Sequence, residues 1–339
     1  MIRVALLSFW HVHAKDYAKL ALEHPDTEIV ALWDENEERG RQKAEEYAVP
    51  FHASLDDLLQ RSDIDAVIVT TPTNRHHDVM IAAAKAGKHI FTEKVVATTT
   101  KSCREILAVV EEAGVKLTVS LPRMYLGFTQ AALRFIQEGK LGTLTTVRIR
   151  LAHNGALRTD KNPDGALPAH FFRLEETGGG ALMDLGCHPM YLTRLFLGMP
   201  ESVSASFGYI TEREVEDSAV VTLRYPSGAL GIVEAGFVNS YSQFDIEIQG
   251  TEGSLMYSRN DDKLRIRSSR MEGEAATGWQ VVTDLPKQPS PFEQWASHIQ
   301  HGTTATENIQ LALDLTRLME ASTLSAISSA SAKLTNLSE

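Results

Sequence analysis

The sequence predicts an α/β protein: a doubly wound parallel sheet at the N-terminus, then an α+β domain with an open, mostly antiparallel sheet. Three observations predict it. Over the first 121 residues short apolar runs alternate with helical segments, the rhythm of a parallel sheet covered on both faces. Beyond residue 121 the rhythm changes to successive strand-like runs joined by short turns. A length of 339 residues suits two domains, placed at 1–121 and 122–339.

Ile2 to Leu7 is the first apolar run, followed by a helical segment to about His24. Glu28 to Trp33 is the second strand, and Glu37 to Tyr47 a charged helix. After the short extended piece Phe51-His52, Ser54 reads as an N-cap, with Asp57 following, of a helix to Gln60. Ala66 to Val69, a helix from Arg75 to Ala86, His89 to Thr92, a helix from Thr99 to Ala113 and Val115 to Ser120 complete the series. In the second part a helix from Thr129 to Glu138 leads into an alternating strand, Thr143 to Ala152. Asn154 to Pro168, rich in Gly, Pro and Asp, reads as a loop over the site. Gly178-Gly179-Gly180 precedes an apolar helix, Ala181 to Leu197. Strand-like runs follow at Ser202–Tyr209, Ala219–Tyr225, Ala229–Ala235, Phe244–Gln249, Ser254–Tyr257 and Leu264–Arg267, with Pro226-Ser227-Gly228 as a hairpin turn. From Pro291 onward the chain reads as helical.

A formal charge of −11 argues against a nucleic-acid surface, which needs clustered Lys and Arg. No apolar stretch approaches the length that spans a bilayer, and the N-terminus reads as a buried strand rather than a signal peptide. Cys103 and Cys187 make no disulfide framework and have no CxxC neighbour. The expectation is a soluble, cytoplasmic protein without nucleic-acid or membrane partners.

Candidate chemistry gathers at strand ends. Glu93-Lys94 closes a short buried strand, and ligands of open α/β sheets bind beyond the carboxyl ends of the strands. A lysine there meets a substrate, and its pKa can be lowered for acid–base work; an exposed loop ion pair is the alternative. The first strand-to-helix turn reads Ser8-Phe9-Trp10-His11-Val12-His13, with none of the glycines of a G-x-G-x-x-G loop. Ser8 adds little bulk and its hydroxyl can donate to a phosphate, whereas Trp10 must turn its indole away. His11 and His13 are phosphate donors or line the cleft. Asp34, about twenty residues on, suits an adenosine ribose and favours NAD, or else caps a helix. Arg39 and Arg41 keep NADP open. Thr70-Thr71-Pro72-Thr73-Asn74 joins a strand to a helix whose N-terminus faces the same crevice, and His77 lies one turn further, as a cofactor contact or a surface histidine.

In the second domain Asp184 and His188 stand at i and i+4 on an apolar helix, so they share a face. A carboxylate fixes an imidazole's tautomer and raises its basicity, as a general base requires. The three preceding glycines allow close approach to another element or a ligand. A buried structural pair, or a zinc pair without a third ligand of recognisable spacing, are the alternatives. No metal is expected.

Glu93-Lys94, the Thr-Pro-x-Asn-x-x-His stretch from Thr71 to His77 and the Gly-Gly-Gly…Asp-x-x-x-His segment, in this order, resemble the glucose-fructose oxidoreductase/inositol dehydrogenase (Gfo/Idh/MocA) family. The resemblance runs from Ile2 to the helix near residue 325. It implies an N-terminal Rossmann domain holding NAD or NADP, and a C-terminal domain whose open sheet mediates a homodimer or homotetramer. The implied activity is oxidation or reduction of a sugar, polyol or cyclitol. Lys94 is then the lysine of the family's Glu-Lys-Pro motif, and Asp184 and His188 its catalytic carboxylate and imidazole. Glu93 is placed near the nicotinamide ribose, and Thr71, Pro72, Asn74 and His77 on the nicotinamide side. Ser8, Phe9, Trp10, His11, Val12, Asp34, Arg39 and Thr70 complete the expected cofactor contacts. Val95 stands in place of the family's proline, which leaves the peptide after Lys94 open to trans. Tyr191 stands where an aspartate often follows the histidine. Arg123 supplies a guanidinium from Leu121–Tyr125, and His153, Asn154 and Arg158 join it as substrate contacts, because a polyhydroxylated ligand needs convergent donors.

The mechanism this implies is hydride transfer between nicotinamide C4 and a carbinol carbon. His188 or Lys94 removes the hydroxyl proton, and Asp184 orients the histidine. Two other readings stay open: a hydrolase or epimerase using NAD without net redox, and a non-catalytic sensor that has lost the glycine loop.

Overall fold

Val4, Ala5, Leu6 and Leu7 are all buried, as are Ala66 to Val69, so these runs occupy the centre of a sheet covered on both faces. The computed structural model describes residues 1–337 apart from Lys161 and Ser242. Its elements in chain order are β1 (Ile2–Leu7), α1 (Ala14–Glu23), β2 (Thr27–Trp33), α2 (Glu37–Glu46), β3 (Phe51–His52), α3 (Leu55–Leu59), β4 (Ala66–Val69), α4 (His76–Lys85), β5 (His89–Thr92), α5 (Thr100–Glu112) and β6 (Leu117–Val119). Ser54 accepts from the Asp57 amide and Thr99 from the Ser102 amide, so both act as N-caps.

The six strands lie in the order β3-β2-β1-β4-β5-β6, all parallel. The chain winds outward from β1 in one direction and from β4 in the other, which puts the switch point between them. Register then aligns the strand ends. Trp33, Leu7, Val69, Thr92 and Val119 are mutual partners across the sheet, so Asp34, Ser8, Thr70, Glu93 and Ser120 form one row just beyond it.

The chain divides into two units, Met1–Leu121 with Pro289–Leu313 and Pro122–Gln288 with Asp314–Glu339. The first boundary falls after Leu121, but Pro289–Leu313, assigned from the sequence to the second domain, belongs to the first unit. The reason is apolar. Helix residues Phe292, Trp295 and Ala296 are buried in the core of the parallel sheet, with Phe91 5.4 Å from Phe292 and 5.6 Å from Trp295 between ring centres. Asn308 also serves that sheet. Its side-chain amide accepts from Val119 N at 2.8 Å and donates to Val119 O at 2.9 Å, pairing the edge strand β6 as a further strand would.

The second unit begins with α6 (Gly127–Gln137) and β7 (Leu144–Ala152), followed by α7 (Leu174–Thr177). A π-helical turn (Leu182–Gly186) runs into α8 (Cys187–Leu197) where one regular helix is expected. Then come β8 (Ser202–Gly208), β9 (Ser218–Arg224), β10 (Leu230–Gly236), β11 (Phe244–Gly250), β12 (Gly253–Ser258), β13 (Lys263–Ser268), α9 (Glu274–Thr277) and β14 (Gln280–Val281). The chain ends with α10 (Pro291–His301), α11 (Thr306–Ser328) and β15 (Ala332–Lys333). Nine strands form a mixed sheet, β14-β13-β12-β11-β7-β10-β9-β8-β15, in which β7 and β10 pair parallel and the remaining recorded pairs are antiparallel. Its strands alternate as half-buried strands do. Val147, Ile149, Val221, Leu223, Val233, Ile246 and Ile248 are buried, while Arg148, Arg150 and Glu234 pair on the other face at 3.0 Å.

Candidate active site

The row beyond the parallel sheet is built by backbone bonds that extend the ladder by one residue. Ser8, Thr70, Glu93 and Ser120 donate to Trp33, Leu7, Val69 and Thr92. Ser8 has φ 79, the left-handed region that glycine adopts without penalty, so it takes the turn conformation of the missing glycine at a cost of about 1–2 kcal/mol. The loop is then tied down from within. Thr70 Oγ1 donates to Ser8 O at 2.7 Å, and the His11 amide to Thr70 O at 3.2 Å. The Phe9 amide donates to Asp34 Oδ2 and the Trp10 amide to Ser8 Oγ, at 2.8 and 3.0 Å. Trp10 is buried with its ring 6.1 Å from His11, while Val12 is exposed.

Asp34 stands at the predicted strand end, yet its carboxylate is enclosed. It pairs with Arg39 at 2.6 Å and accepts from the amides of Phe9 and Asn36. Asp34 thus anchors the first loop to the end of β2. Ser8 Oγ, expected to face a phosphate, donates to Glu35 Oε1 at 3.0 Å. Glu35, which sequence reasoning passed over, keeps a buried Oε2 without a hydrogen-bond partner, and burial followed by the Asp34 charge pushes its carboxyl up. Arg39 joins Asp34 and Glu35, whereas Arg41 pairs with Glu37 on the surface.

Glu93 and Lys94 are both buried, so the pair is no exposed loop ion pair; Lys94 Nζ lies 3.7 Å from Glu93 Oε1. Burial alone raises a carboxyl pKa. Interactions with His11, His13 and Lys94 outweigh it and hold Glu93 well below the usual range. Glu93 Oε2 also accepts from Tyr17 OH, and Tyr17 OH is 2.8 Å from Ser120 Oγ. Burial and then Glu93 hold the Tyr17 hydroxyl well above its ordinary pKa. The peptide between Lys94 and Val95 is cis, correcting the trans form that a valine there leaves open.

His77 is corrected as well. Its ring is a third exposed and bridges Asp78 at 2.9 Å and Glu105 at 2.8 Å. The site-facing histidine is His76, buried, with Nδ1 2.9 Å from Val95 O and Nε2 3.2 Å from Thr71 O. It spans the two backbone segments that flank the site. The signal was present: His76, Val79, Met80 and Ala83 recur at helical spacing on the buried stripe of α4, and His77 is off it. Thr71 and Pro72 are buried, whereas Asn74 is exposed.

In the second unit Gly180 explains the glycine run. A Cβ there would lie 2.0 Å from Glu216 O, and the Glu216 carboxylate accepts from the amides of Gly180 and Leu182 at 2.8 and 2.9 Å. The close approach is to another element of the protein. The π-helical turn alters the i, i+4 relation drawn from an α-helix. Asp184 raises the His153 pKa against a larger lowering by burial, and His188 Nδ1 lies 3.3 Å from Tyr191 OH. Tyr191 OH accepts from the Arg123 amide at 3.0 Å, so its own proton is available to His188.

Arg123, His153 and Asn154 line one cavity of about 350 Å³ together with Asn239, Gln243 and Arg259. The last three escaped sequence reasoning because they lie on connecting segments far along the chain. The Arg123 guanidinium sits 5.0 Å over the Phe244 ring. The Gly155 amide donates to His153 Nδ1 at 3.0 Å, which leaves the proton of the neutral ring on Nε2. Arg158 is exposed and does not line this cavity.

A dinucleotide fits the first unit. Among the described residues, Thr71 Oγ1 and Glu35 Oε2 are buried at the carboxyl edge without hydrogen-bond partners, and a ligand rich in hydroxyl and amide groups would satisfy them. Fold and site therefore define a class, the dinucleotide-dependent oxidoreductases of Rossmann type. Residues 9–121 match the model of the oxidoreductase family with an NAD-binding Rossmann fold, and residues 129–256 match the GFO/IDH/MocA C-terminal domain. The chain belongs to the Gfo/Idh/MocA oxidoreductase family. It is 30% identical over 251 residues to the 1,5-anhydro-D-fructose reductase of Ensifer adhaerens, covering 72% of each chain. It is 27% identical over 319 residues to the scyllo-inositol 2-dehydrogenase (NAD(+)) of Bacillus subtilis strain 168, covering 91% of this chain and 86% of that one. Among solved structures, levoglucosan dehydrogenase in complex with NADH and levoglucosan superposes with a TM-score of 0.82 at 20% identity, over 98% of this chain and 99% of that one. Among the described residues, no helix is long and apolar enough to cross a membrane.

Proposed function

We propose that this protein is an NAD(P)-dependent dehydrogenase or reductase that acts on a CH–OH group of a sugar, polyol or cyclitol. The observation that carries the reading is Lys94, a lysine only 4% exposed, one residue beyond the strand-end row at the edge of a Rossmann-type sheet. Burying a lysine is costly, and a buried lysine beyond a strand end is suited to reaction chemistry. When bound, the nicotinamide supplies the hydride acceptor or donor.

The protein's own groups hold substrate and move the proton. Lys94 stabilises the developing alkoxide by a charge-assisted hydrogen bond, and Lys94 or His188 takes the hydroxyl proton. Tyr191 holds the His188 ring, and Asp184 orients the histidine. Arg123, His153 and Asn154 provide substrate contacts. Because the lining of their cavity includes two guanidinium groups and no carboxylate among the described residues, it favours oxygen-rich sugars that carry an acidic group. Glu35, Thr71 and the Ser8–His13 loop hold the dinucleotide, with NAD favoured by the paired carboxylates of Asp34 and Glu35. The polar sheet face around Arg148, Arg150 and Glu234 serves a homo-oligomer. Two buried cysteines outside any disulfide, Cys103 and Cys187, accord with a cytoplasmic setting.

The test is a sugar, polyol and sugar-acid screen followed by reduced-nicotinamide absorbance with NAD and NADP. Lys94→Ala should lower turnover by about 10²–10⁴-fold with an unchanged circular dichroism spectrum. Retained turnover removes Lys94 from the mechanism, and failure to bind either nucleotide removes the reading.

A further inference from the structure

We infer that His11, His13 and Glu93 form a binding site for a divalent cation of the zinc class at the mouth of the first loop. One ligand-type atom from each lies within 4.8 Å of the others. The separations suit a shared ion. His13 Nδ1 is 3.3 Å from Glu93 Oε2 and His11 Nδ1 is 3.9 Å from the same oxygen. The first is a hydrogen bond longer than the usual range of about 2.7–3.2 Å, and the second is none. Two ligand atoms on a tetrahedral ion with bonds of about 2.0–2.2 Å stand roughly 3.3–3.6 Å apart. The first separation fits, and the second closes to it by a few tenths of an ångström.

The chemistry of the donors agrees. The His13 amide donates to His11 Nδ1 at 3.2 Å, so an ion held at that nitrogen takes the place of this hydrogen bond. Glu93 is buried, and its other oxygen, Oε1, has no hydrogen-bond partner among the described residues. Two imidazoles and one carboxylate are a ligand set that leaves a zinc coordination position open. Tyr17, bonded to Glu93 Oε2 and lying 2.8 Å from Ser120 Oγ, orients the carboxylate from behind. The path in runs past His13, whose side chain is 40% exposed. Lys94 faces the opposite carboxylate oxygen at 3.7 Å and leaves Oε2 to the ion.

The site stands without the hydride-transfer reading, because it needs neither nucleotide nor substrate. The full-length chain, stripped of metal by dialysis against a chelator, is titrated with Zn²⁺ by calorimetry and with Co²⁺ by visible absorbance. One equivalent per chain is expected, with tetrahedral Co²⁺ bands. His13→Ala, at a half-exposed position that spares the fold, should weaken both by at least about tenfold, the loss that even an outer-shell change causes. His11→Asn and Glu93→Gln should do the same, with circular dichroism reporting whether they fold. His301→Ala, on the exposed end of α10, should change nothing. Absence of saturable uptake, or an affinity unmoved by His13→Ala, overturns the site whatever the enzyme assay shows.

Discussion

His76 lies between the backbone segments on both sides of a site, and its neutral ring donates to one of them. Its ring touches the carbonyls of Thr71 and Val95, which follow β4 and β5, and burial lowers its pKa. The folded state therefore binds fewer protons than the unfolded one near pH 6.5. Stability from the neutral ring is present above about 6.5 and lost as pH falls below it, by up to about 1.4 kcal/mol per pH unit. Urea midpoints from pH 8 to 5 should fall less steeply in His76→Asn than in the parent chain. An equal slope assigns the titration to other histidines. Because His76 fixes the segment that carries Lys94, the same substitution should lower kcat more than it raises KM. Tyr191 has a comparable place beside His188, and Tyr191→Phe should move the pH profile of turnover while leaving the protein folded. A profile that does not move frees His188 from that partner.

Among the elements, the turn before α8 is set by contact with a neighbouring backbone. At Gly180 a methyl group would meet Glu216 O at 2.0 Å, and backbone on both sides leaves nothing to give way. At Gly179 the nearest atom is the flexible Met183 side chain at 3.1 Å. Gly180→Ala should then destabilise the second unit by about 1–3 kcal/mol or more, and Gly179→Ala far less. Thermal unfolding of the two variants side by side checks this, and equal midpoints would remove the contact as the cause. The π-helical turn could not be read from residue types, because Leu182 to Gly186 suits an α-helix by propensity. It follows from the two amides that Glu216 holds, and Glu216 lies far along the chain.

For the whole molecule, the first unit needs residues that the chain supplies last. Phe292, Trp295 and Ala296 complete the parallel-sheet core, and Asn308 pairs the edge of β6. A fragment of residues 1–121 lacks all four and leaves an apolar sheet face and edge open. It should aggregate or give broad amide resonances, and joining residues 289–313 to it by a linker should restore cooperative unfolding. A fragment of 1–121 that unfolds cooperatively by itself would show the returning segment to be dispensable. What was legible in the sequence was local or periodic: the alternating elements, the switch from parallel to antiparallel strands, the cap at Ser54, and Glu93-Lys94 at a strand end. Each rests on residues close in the chain. The buried stripe of α4 also separates His76 from His77 by helical spacing. Other outcomes were left to tertiary structure. It enclosed Asp34 between Arg39 and the loop amides, and it brought His11, His13 and Glu93 to one point. Those outcomes depend on the register that aligns β1, β4 and β5 and on contacts between distant residues, and neither is encoded in spacing along the chain.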